Sequence, residues 1–149
     1  MQCSNESPEK IDAKETDYLY VKKSQIPNAG NGLYTALPIY ENEIISIFKG
    51  EILQDKEAGK RAKNGADAYF INMLDGTIMD SMNVKCFAKY ANDVVGLVKT
   101  KFIINAIITI DDDENVCLVT TRDIQKDEEI FCSYGNNYWE NYRKQIQKN

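Results

Sequence analysis

Short apolar runs alternate with polar turn clusters along most of the chain. From Tyr18 onward the runs are rich in Val, Ile, Tyr and Phe, and long stretches with helical periodicity are scarce. This pattern predicts a mostly β domain. The predicted strands are residues 18–22, 32–36, 44–49, 68–73, 77–80, 101–110, 116–120 and 130–133. Helical spacing predicts two short helices, one over residues 55–64 before Gly65 and one over residues 137–147.

Turn residues separate the predicted strands. Residues 27–32 read Pro-Asn-Ala-Gly-Asn-Gly, which is a dense turn, and Asp75-Gly76 has the signature of a tight hairpin. The acidic run Asp111 to Glu114 lacks the alternating ligands and central glycine of a calcium loop, so it is interpreted as a solvated hairpin loop.

The length of 149 residues suits a single domain with a modest hydrophobic core. Residues 1–17 are polar and charged, so we expect a flexible tail there, a domain over residues 18–139 and a helical extension over residues 140–149. The most apolar stretch, residues 102–110, is far shorter than the ~18 apolar residues that cross a bilayer. The first residues also lack the apolar segment of a secretory signal. We therefore expect a cytoplasmic protein, with no membrane span and no secretion.

Charge and residue counts exclude several classes of function. The chain has 18 Lys and Arg residues and 23 Asp and Glu residues, which gives a net charge of −5. This charge disfavours direct nucleic-acid binding and is compatible with a basic protein or peptide partner. The chain contains no histidine, which excludes Ser-His-Asp and Cys-His catalysis and HExxH zinc sites. Its four cysteines are scattered without a CxxC pair, so we expect free thiols, no disulfide scaffold and no metal site.

Two clusters are candidates for chemistry, and the residues alone leave both open. Gly30-Asn31-Gly32 precedes a predicted strand rather than a helix, so it is not a dinucleotide fingerprint; it is either a plain turn or a place where the backbone approaches a ligand closely. Five aromatic residues crowd a dozen positions near the C-terminus. They either pack a core or surround a cation or a flat ring. These aromatics are Phe131, Tyr134, Tyr138, Trp139 and Tyr142.

Four segments in order resemble the SET domain, the fold of protein lysine methyltransferases. Residues 26–34 resemble its first cofactor motif, with G-x-G after a basic strand, and residues 67–70 with 78–80 resemble the second. Residues 87–93 resemble the Arg-Phe-(Ile/Leu)-Asn-His segment, with Asn105-Ala106 in the place of the following Pro-Asn-Cys or Pro-Asn-Ala. Residues 121–135 resemble the segment Gly-Glu-Glu-Leu-Thr-Tyr-Asp-Tyr-Gly, and they are the most specific match.

The resemblance implies a SET-domain fold: several small β-sheets, short helices and a C-terminal strand tucked through a loop near Asn92 as a pseudoknot. It implies transfer of methyl groups from S-adenosylmethionine to a lysine amine of a basic protein, with Tyr134 as the catalytic residue. The cofactor-binding residues it implies are Gly30, Asn31, Gly32, Leu33, Tyr69, Asn92, Asp93 and Trp139. The substrate-channel residues it implies are Tyr69, Cys132, Tyr134 and Tyr138.

The chain departs from the family at two of these positions. Asp93 stands where the family usually has histidine, and the family holds the adenine there mainly through the backbone, which is compatible with the change. Cys132 stands where Phe or Tyr is usual, and a small side chain leaves room for a methylated amine. These departures keep an alternative open: a catalytically weak SET-like module that binds a basic peptide.

Overall fold

A computed structural model describes residues 7–94 and 102–134. Within these ranges the chain forms short strands, two α-helices and one 3-10 helix at Ala88–Tyr90. The helices are α1 (Glu15–Tyr18) and α2 (Asp55–Lys63). The strands are β1 (Glu9–Lys10), β2 (Leu19–Lys23), β3 (Asn31–Thr35), β4 (Glu43–Ile47), β5 (Glu51–Leu53), β6 (Phe70–Asn72), β7 (Ile78–Asp80), β8 (Asn92–Asp93), β9 (Ala106–Ile110), β10 (Val116–Thr120) and β11 (Glu129–Tyr134).

The larger sheet has the order β1-β4-β10-β9-β11-β3-β2, and β8 also pairs with β11. The last strand thus has three neighbours: it runs antiparallel to β3 and parallel to both β8 and β9. The pairing of β11 with β8 is the contact that the expected pseudoknot requires near Asn92. Segments far apart in the sequence therefore meet along one strand.

Strands β5, β7 and β6 form a second, smaller sheet with its own hydrogen bonds, and Ile71 and Met79 of this sheet belong to the main hydrophobic core. The predicted hairpin joins β6 to β7: Gly76 has a φ of 90°, and the Asp75 carboxylate accepts hydrogen bonds from the backbone N–H and the hydroxyl of Thr77. Arg61 of α2 donates to the buried Asp80 carboxylate at 2.8 Å and also pairs with Glu51 and Glu57. This ion-pair network fastens the helix to the smaller sheet.

The main hydrophobic core lies between the larger sheet and the segment that holds the 3-10 helix. Its fully buried side chains come from four strands and two connecting segments, which shows that the alternating pattern places apolar residues on one inner face. They include Leu33, Ile39, Ile45, Leu118, Ile124 and Ile130.

The segment expected as a tail, residues 1–17, contains strand β1 and most of helix α1. Glu9 and Lys10 pair in parallel with β4, and the Glu15 carboxylate accepts hydrogen bonds from the Ser46 hydroxyl at 2.6 Å and the Ile47 N–H at 3.1 Å. These partners come from β4, so composition alone could not reveal them. The other expected boundary, at residue 139, lies outside the described residues, as does the helix predicted over residues 137–147.

The eight predicted strands all correspond to strands, and seven of them differ from the observed strands at one or both ends. Two are much shorter than expected, since residues 68–73 yield only β6, and the described part of the predicted strand 101–110, residues 102–110, yields only β9. The predicted helix over residues 55–64 is confirmed as α2, followed by Gly65 at a φ of 74°. Across the described residues, no helix has the length and apolar character needed to span a membrane.

Candidate cofactor and substrate site

The candidate site is organised by β11. Its residues Phe131 and Cys132 lie opposite Asn92 and Asp93 of β8, and the backbone of Tyr134 lies opposite Ile108 of β9. The earlier part of β11 pairs with β3, where Ile130 lies opposite Leu33. Three of the four sequence segments thus converge on one strand.

A side-chain hydrogen bond joins two of these segments directly. The Asn92 side-chain amide donates to the Asn31 carbonyl at 3.0 Å, which links β8 to the first residue of β3. Asn31 and Asp93 are both exposed at this edge of the sheet. The predicted cofactor residues of the first and third motifs therefore form one continuous edge.

The two glycines of the G-x-G motif have different structural roles. Gly30 has a φ of 74°, a conformation that L side chains rarely adopt, and no described atom lies within 4 Å of the position a Cβ would take. Gly32 lies within β3, and a Cβ there would overlap the Glu129 carboxylate. Gly30 thus opens space beside the turn, whereas Gly32 makes room for another side chain.

Glu129 is the site residue that the sequence did not single out. Its side chain is fully buried, and its carboxylate accepts hydrogen bonds from the Ser24 hydroxyl at 2.6 Å and from the Gln25 backbone N–H at 2.9 Å. The Tyr34 hydroxyl shares its hydrogen between Glu129 Oε1 at 3.1 Å and the Lys23 carbonyl at 2.8 Å. Burial, and next the charge of Glu129, raise the pKa of Tyr34 to about 12. In the sequence Glu129 ends an acidic run, which gives no sign of burial.

Behind the turn lies a second, smaller hydrophobic cluster. Ile26, Val94 and Phe131 form its buried part, and the Phe102 and Phe131 rings are 5.0 Å apart. The cluster therefore packs the turn against β11 and the residue after β8. Phe131, predicted either as core or as part of an aromatic cage, is core.

Cys132 is 3% exposed and belongs to the main core cluster. Its Sγ donates weakly to the Ala91 carbonyl at 3.6 Å. Burial, and next the charge of Asp93, raise the pKa of the Cys132 thiol to about 12, so the thiol is neutral at physiological pH. The side chain at this position is thus small, uncharged and directed toward the segment that precedes β8.

Tyr69 lies in an aromatic pair with Tyr90, their ring centroids 6.2 Å apart. The Lys89 ammonium stands 5.2 Å from the Tyr69 ring centroid and donates to the carbonyls of Ser81, Met82 and Val84. This lysine occupies the position that matches the arginine of the family's third motif. It ties the second motif to the segment that leads into β8.

The remaining predicted site residues are Leu33, Tyr134, Tyr138 and Trp139. The side chain of Tyr134, together with Tyr138 and Trp139, lies outside the described residues. The Leu33 side chain is fully buried in the core, so only its backbone could face a ligand.

In the described part of the chain, no group of three acidic or thiol side chains could hold a metal ion. An open cleft of about 1000 Å³ lies elsewhere, between α1 and residues 82–90, and none of the predicted site residues lines it.

A model of the SET domain matches residues 30–135, which is well over half of the chain. This chain belongs to the SET-domain family. The chain is 25% identical over 138 residues to the histone-lysine N-methyltransferase EZH2 of Chaetomium thermophilum, a match that covers 85% of this chain and 9% of that protein.

Solved structures give the same fold assignment. An active polycomb repressive complex 2 in the basal state superposes with a TM-score of 0.64 at 25% identity, covering 80% of this chain and 15% of the other. Apo ctPRC2 in an autoinhibited state also gives 0.64, at 22% identity, covering 88% and 17%. The SET domain described here therefore spans less than a fifth of the chains it matches.

The residues present fit S-adenosylmethionine, the cofactor that the family implies. The space beside Gly30 is open among the described residues, and the exposed Asn31 and Asp93 flank the Asn92 side chain at the same edge. Open backbone beside a tight turn lets a ligand approach main-chain donors and acceptors.

Proposed function

We propose that this SET domain is a protein-lysine N-methyltransferase that uses S-adenosylmethionine. The observation that carries the proposal is that the G-x-G turn and Asn92-Asp93 meet beside β11, which pairs with both β3 and β8. These are the segments that the family uses for cofactor and substrate, and here they come together from distant parts of the sequence.

The cofactor is proposed to lie against the backbone of Gly30 to Leu33 and against Asn92 and Asp93, with Tyr69 and Trp139 contributing side chains. When bound, it supplies an electrophilic methyl group on a sulfonium. Asp93 replaces the usual histidine, and its backbone lies opposite Cys132 in the β8–β11 pairing. That pairing fixes the main chain at position 93 whichever side chain is present, which supports backbone recognition of the adenine.

The chain's own residues must align the lysine amine and allow it to lose a proton. An unperturbed lysine has a pKa of ~10.4, so only about one amine in a thousand is neutral at pH 7. Desolvation in an apolar channel lowers that pKa, and no histidine base is then required. Tyr134 is proposed to place its hydroxyl at the transferring methyl, and Cys132, Tyr69 and Tyr138 to line the channel.

A basic protein is the proposed substrate, and the relative EZH2 is named for its action on histones. The net charge of −5 favours approach of a basic partner. A cytoplasmic location, or the compartment of that basic substrate, stays a prediction.

Methyl transfer is tested with purified protein, labelled S-adenosylmethionine and a panel of basic proteins that includes core histones, followed by mass spectrometry of the products. We expect label on lysine with the parent protein and with Tyr40→Phe, which makes the same chemical change at a tyrosine that is 61% exposed. We expect little with Tyr134→Phe. Binding of cofactor and of a basic peptide with no label on any panel member would instead support the alternative, a weak SET-like binding module. An absence of cofactor binding would refute the methyltransferase proposal, whereas a module that only binds a basic peptide would still require binding of that peptide.

A further inference from the structure

We propose that the buried Glu129 carboxylate, rather than a ligand, is what requires glycine at position 32, and that Glu129 is the positioning residue of the turn over residues 24–30. The coupling between Gly32 and Glu129 stands on the structure alone. Its effect on the cofactor rests on the proposed function.

The first step is steric. A Cβ built at Gly32 overlaps the Glu129 carboxylate, lies 2.9 Å from its Cδ and lies 3.2 Å from the Ser24 Cβ. The backbone of Gly32 is not in the left-handed region, unlike that of Gly30, so its conformation does not demand glycine. Space for Glu129 is therefore the reason that the described structure gives for glycine at this position.

The second step is the confinement of that carboxylate. Glu129 is fully buried, and none of the ion pairs among the described residues includes it. A buried carboxylate with no cation beside it is stabilised by its hydrogen bonds. Moving it away from the donors would leave its oxygens buried without partners. The carboxylate therefore cannot move aside cheaply to admit a methyl group at position 32.

The third step connects the carboxylate to the turn. Its donors Ser24 and Gln25 lie where the turn begins, and Tyr34 lies on β3, which follows the turn. The Ser24 N–H closes the turn by donating to the Gly30 carbonyl at 2.8 Å. Because Glu129 holds both ends, a displaced carboxylate would shift the open backbone at Gly30 and Asn31.

The experiment is a double-mutant cycle with two readouts, the unfolding midpoint and the calorimetric affinity for S-adenosylmethionine. Gly32→Ala is made in the parent and in Glu129→Asp, which keeps the charge and withdraws the carboxylate by one methylene. Gly59→Ala serves as the matched control, since a Cβ at Gly59 meets no described atom within 4 Å. We expect Gly32→Ala to lower the midpoint and weaken cofactor binding about tenfold or more in the parent, and much less in Glu129→Asp.

A separate arm tests whether Glu129 positions the turn or only stabilises the fold. Glu129→Gln should weaken cofactor binding about tenfold and raise KM for the cofactor, while kcat and the KM for the protein substrate stay nearly unchanged. The control Glu41→Gln, at an exposed position, should leave cofactor affinity and the KM for the cofactor unchanged. A lower midpoint with unchanged cofactor affinity would overturn the positioning role. Equal effects of Gly32→Ala in both backgrounds would overturn the coupling and point to a ligand contact.

Failure of the proposed function and failure of the Gly32–Glu129 coupling give different results. If the parent binds no cofactor, the proposed function fails, while the unfolding midpoints still test the coupling. If the Glu129 variants do not fold, amide exchange in the parent decides: the Gln25 N–H should be strongly protected, and exchange as fast as that of an exposed amide would overturn the inference.

Discussion

Replacing Asn105 with alanine should destabilise the domain strongly, because this one side chain fixes the register of β11. Asn105 is fully buried at the residue before β9. Its amide donates to the Glu129 carbonyl at 3.0 Å, and its carbonyl oxygen accepts from the Phe131 N–H at 2.9 Å. The side chain thus satisfies two backbone groups of β11, on either side of Ile130.

The cost can be estimated from the groups left without partners. Asn105→Ala leaves the Glu129 carbonyl and the Phe131 N–H without their side-chain hydrogen-bond partners. Each buried polar group without a partner lowers the free energy of unfolding by about 1–3 kcal/mol. The two groups together should lower the free energy of unfolding by about 2–4 kcal/mol, since water entering the small cavity offsets part of the loss. For a domain of this size, that corresponds to a fall of roughly 10 °C in the unfolding midpoint.

Urea denaturation of the parent and the variants measures this loss. Asn83→Ala is the matched control, because Asn83 is exposed and should change stability by less than about 0.5 kcal/mol. Asn105→Asp should be at least as destabilising as Asn105→Ala, since it keeps an acceptor for Phe131 but places a buried carboxylate oxygen against the Glu129 carbonyl. A loss for Asn105→Ala no larger than that for Asn83→Ala would refute the register argument.

Three further outcomes test the proposed chemistry and the pH response. Tyr134→Phe should keep the fold and most cofactor affinity while lowering kcat by about 10²-fold or more in a steady-state assay; a parental rate would remove Tyr134 from the mechanism. The parent should form dimethyl or trimethyl lysine, and Cys132→Tyr should shift products toward monomethyl, as intact-mass measurement of a peptide with one target lysine would show; exclusive monomethylation by the parent would contradict this. Hydrogen bonds from the Thr77 hydroxyl and N–H lower the pKa of Asp75, so its contribution to stability is present above the unfolded value of ~3.9 and is lost as the pH falls further. Thr77→Val should therefore show a smaller loss of stability between neutral and acid pH, and an unchanged acid response would exclude this contribution.

Local pattern was sufficient where an element is defined by its own residues. The run at residues 116–120 was predicted with its observed bounds, because its β-branched and apolar residues are flanked by an acidic loop and a polar turn. The hairpin at Asp75-Gly76 and helix α2 were also predictable, since glycine conformation and helical spacing act within a few residues. The four family motifs could be found for the same reason.

The short strands β1, β5 and β8 could not be predicted in this way. No alternating apolar run marks these three short segments, and they are strands because a partner strand is present. Asn92 and Asp93 form a strand only because β11, almost 40 positions later, passes beside them.

The sequence by itself determined the β-rich class, the turns and the segments that resemble SET motifs. Only the tertiary structure decided what Glu129 and Gly32 do. An acidic residue in an acidic run is expected on the surface, yet the pairing of β11 with β3 carries Glu129 into the interior beside Ser24 and Tyr34. The reason is that burial is a property of the assembled sheet, whereas the pattern along a chain reports only on neighbours within a few residues.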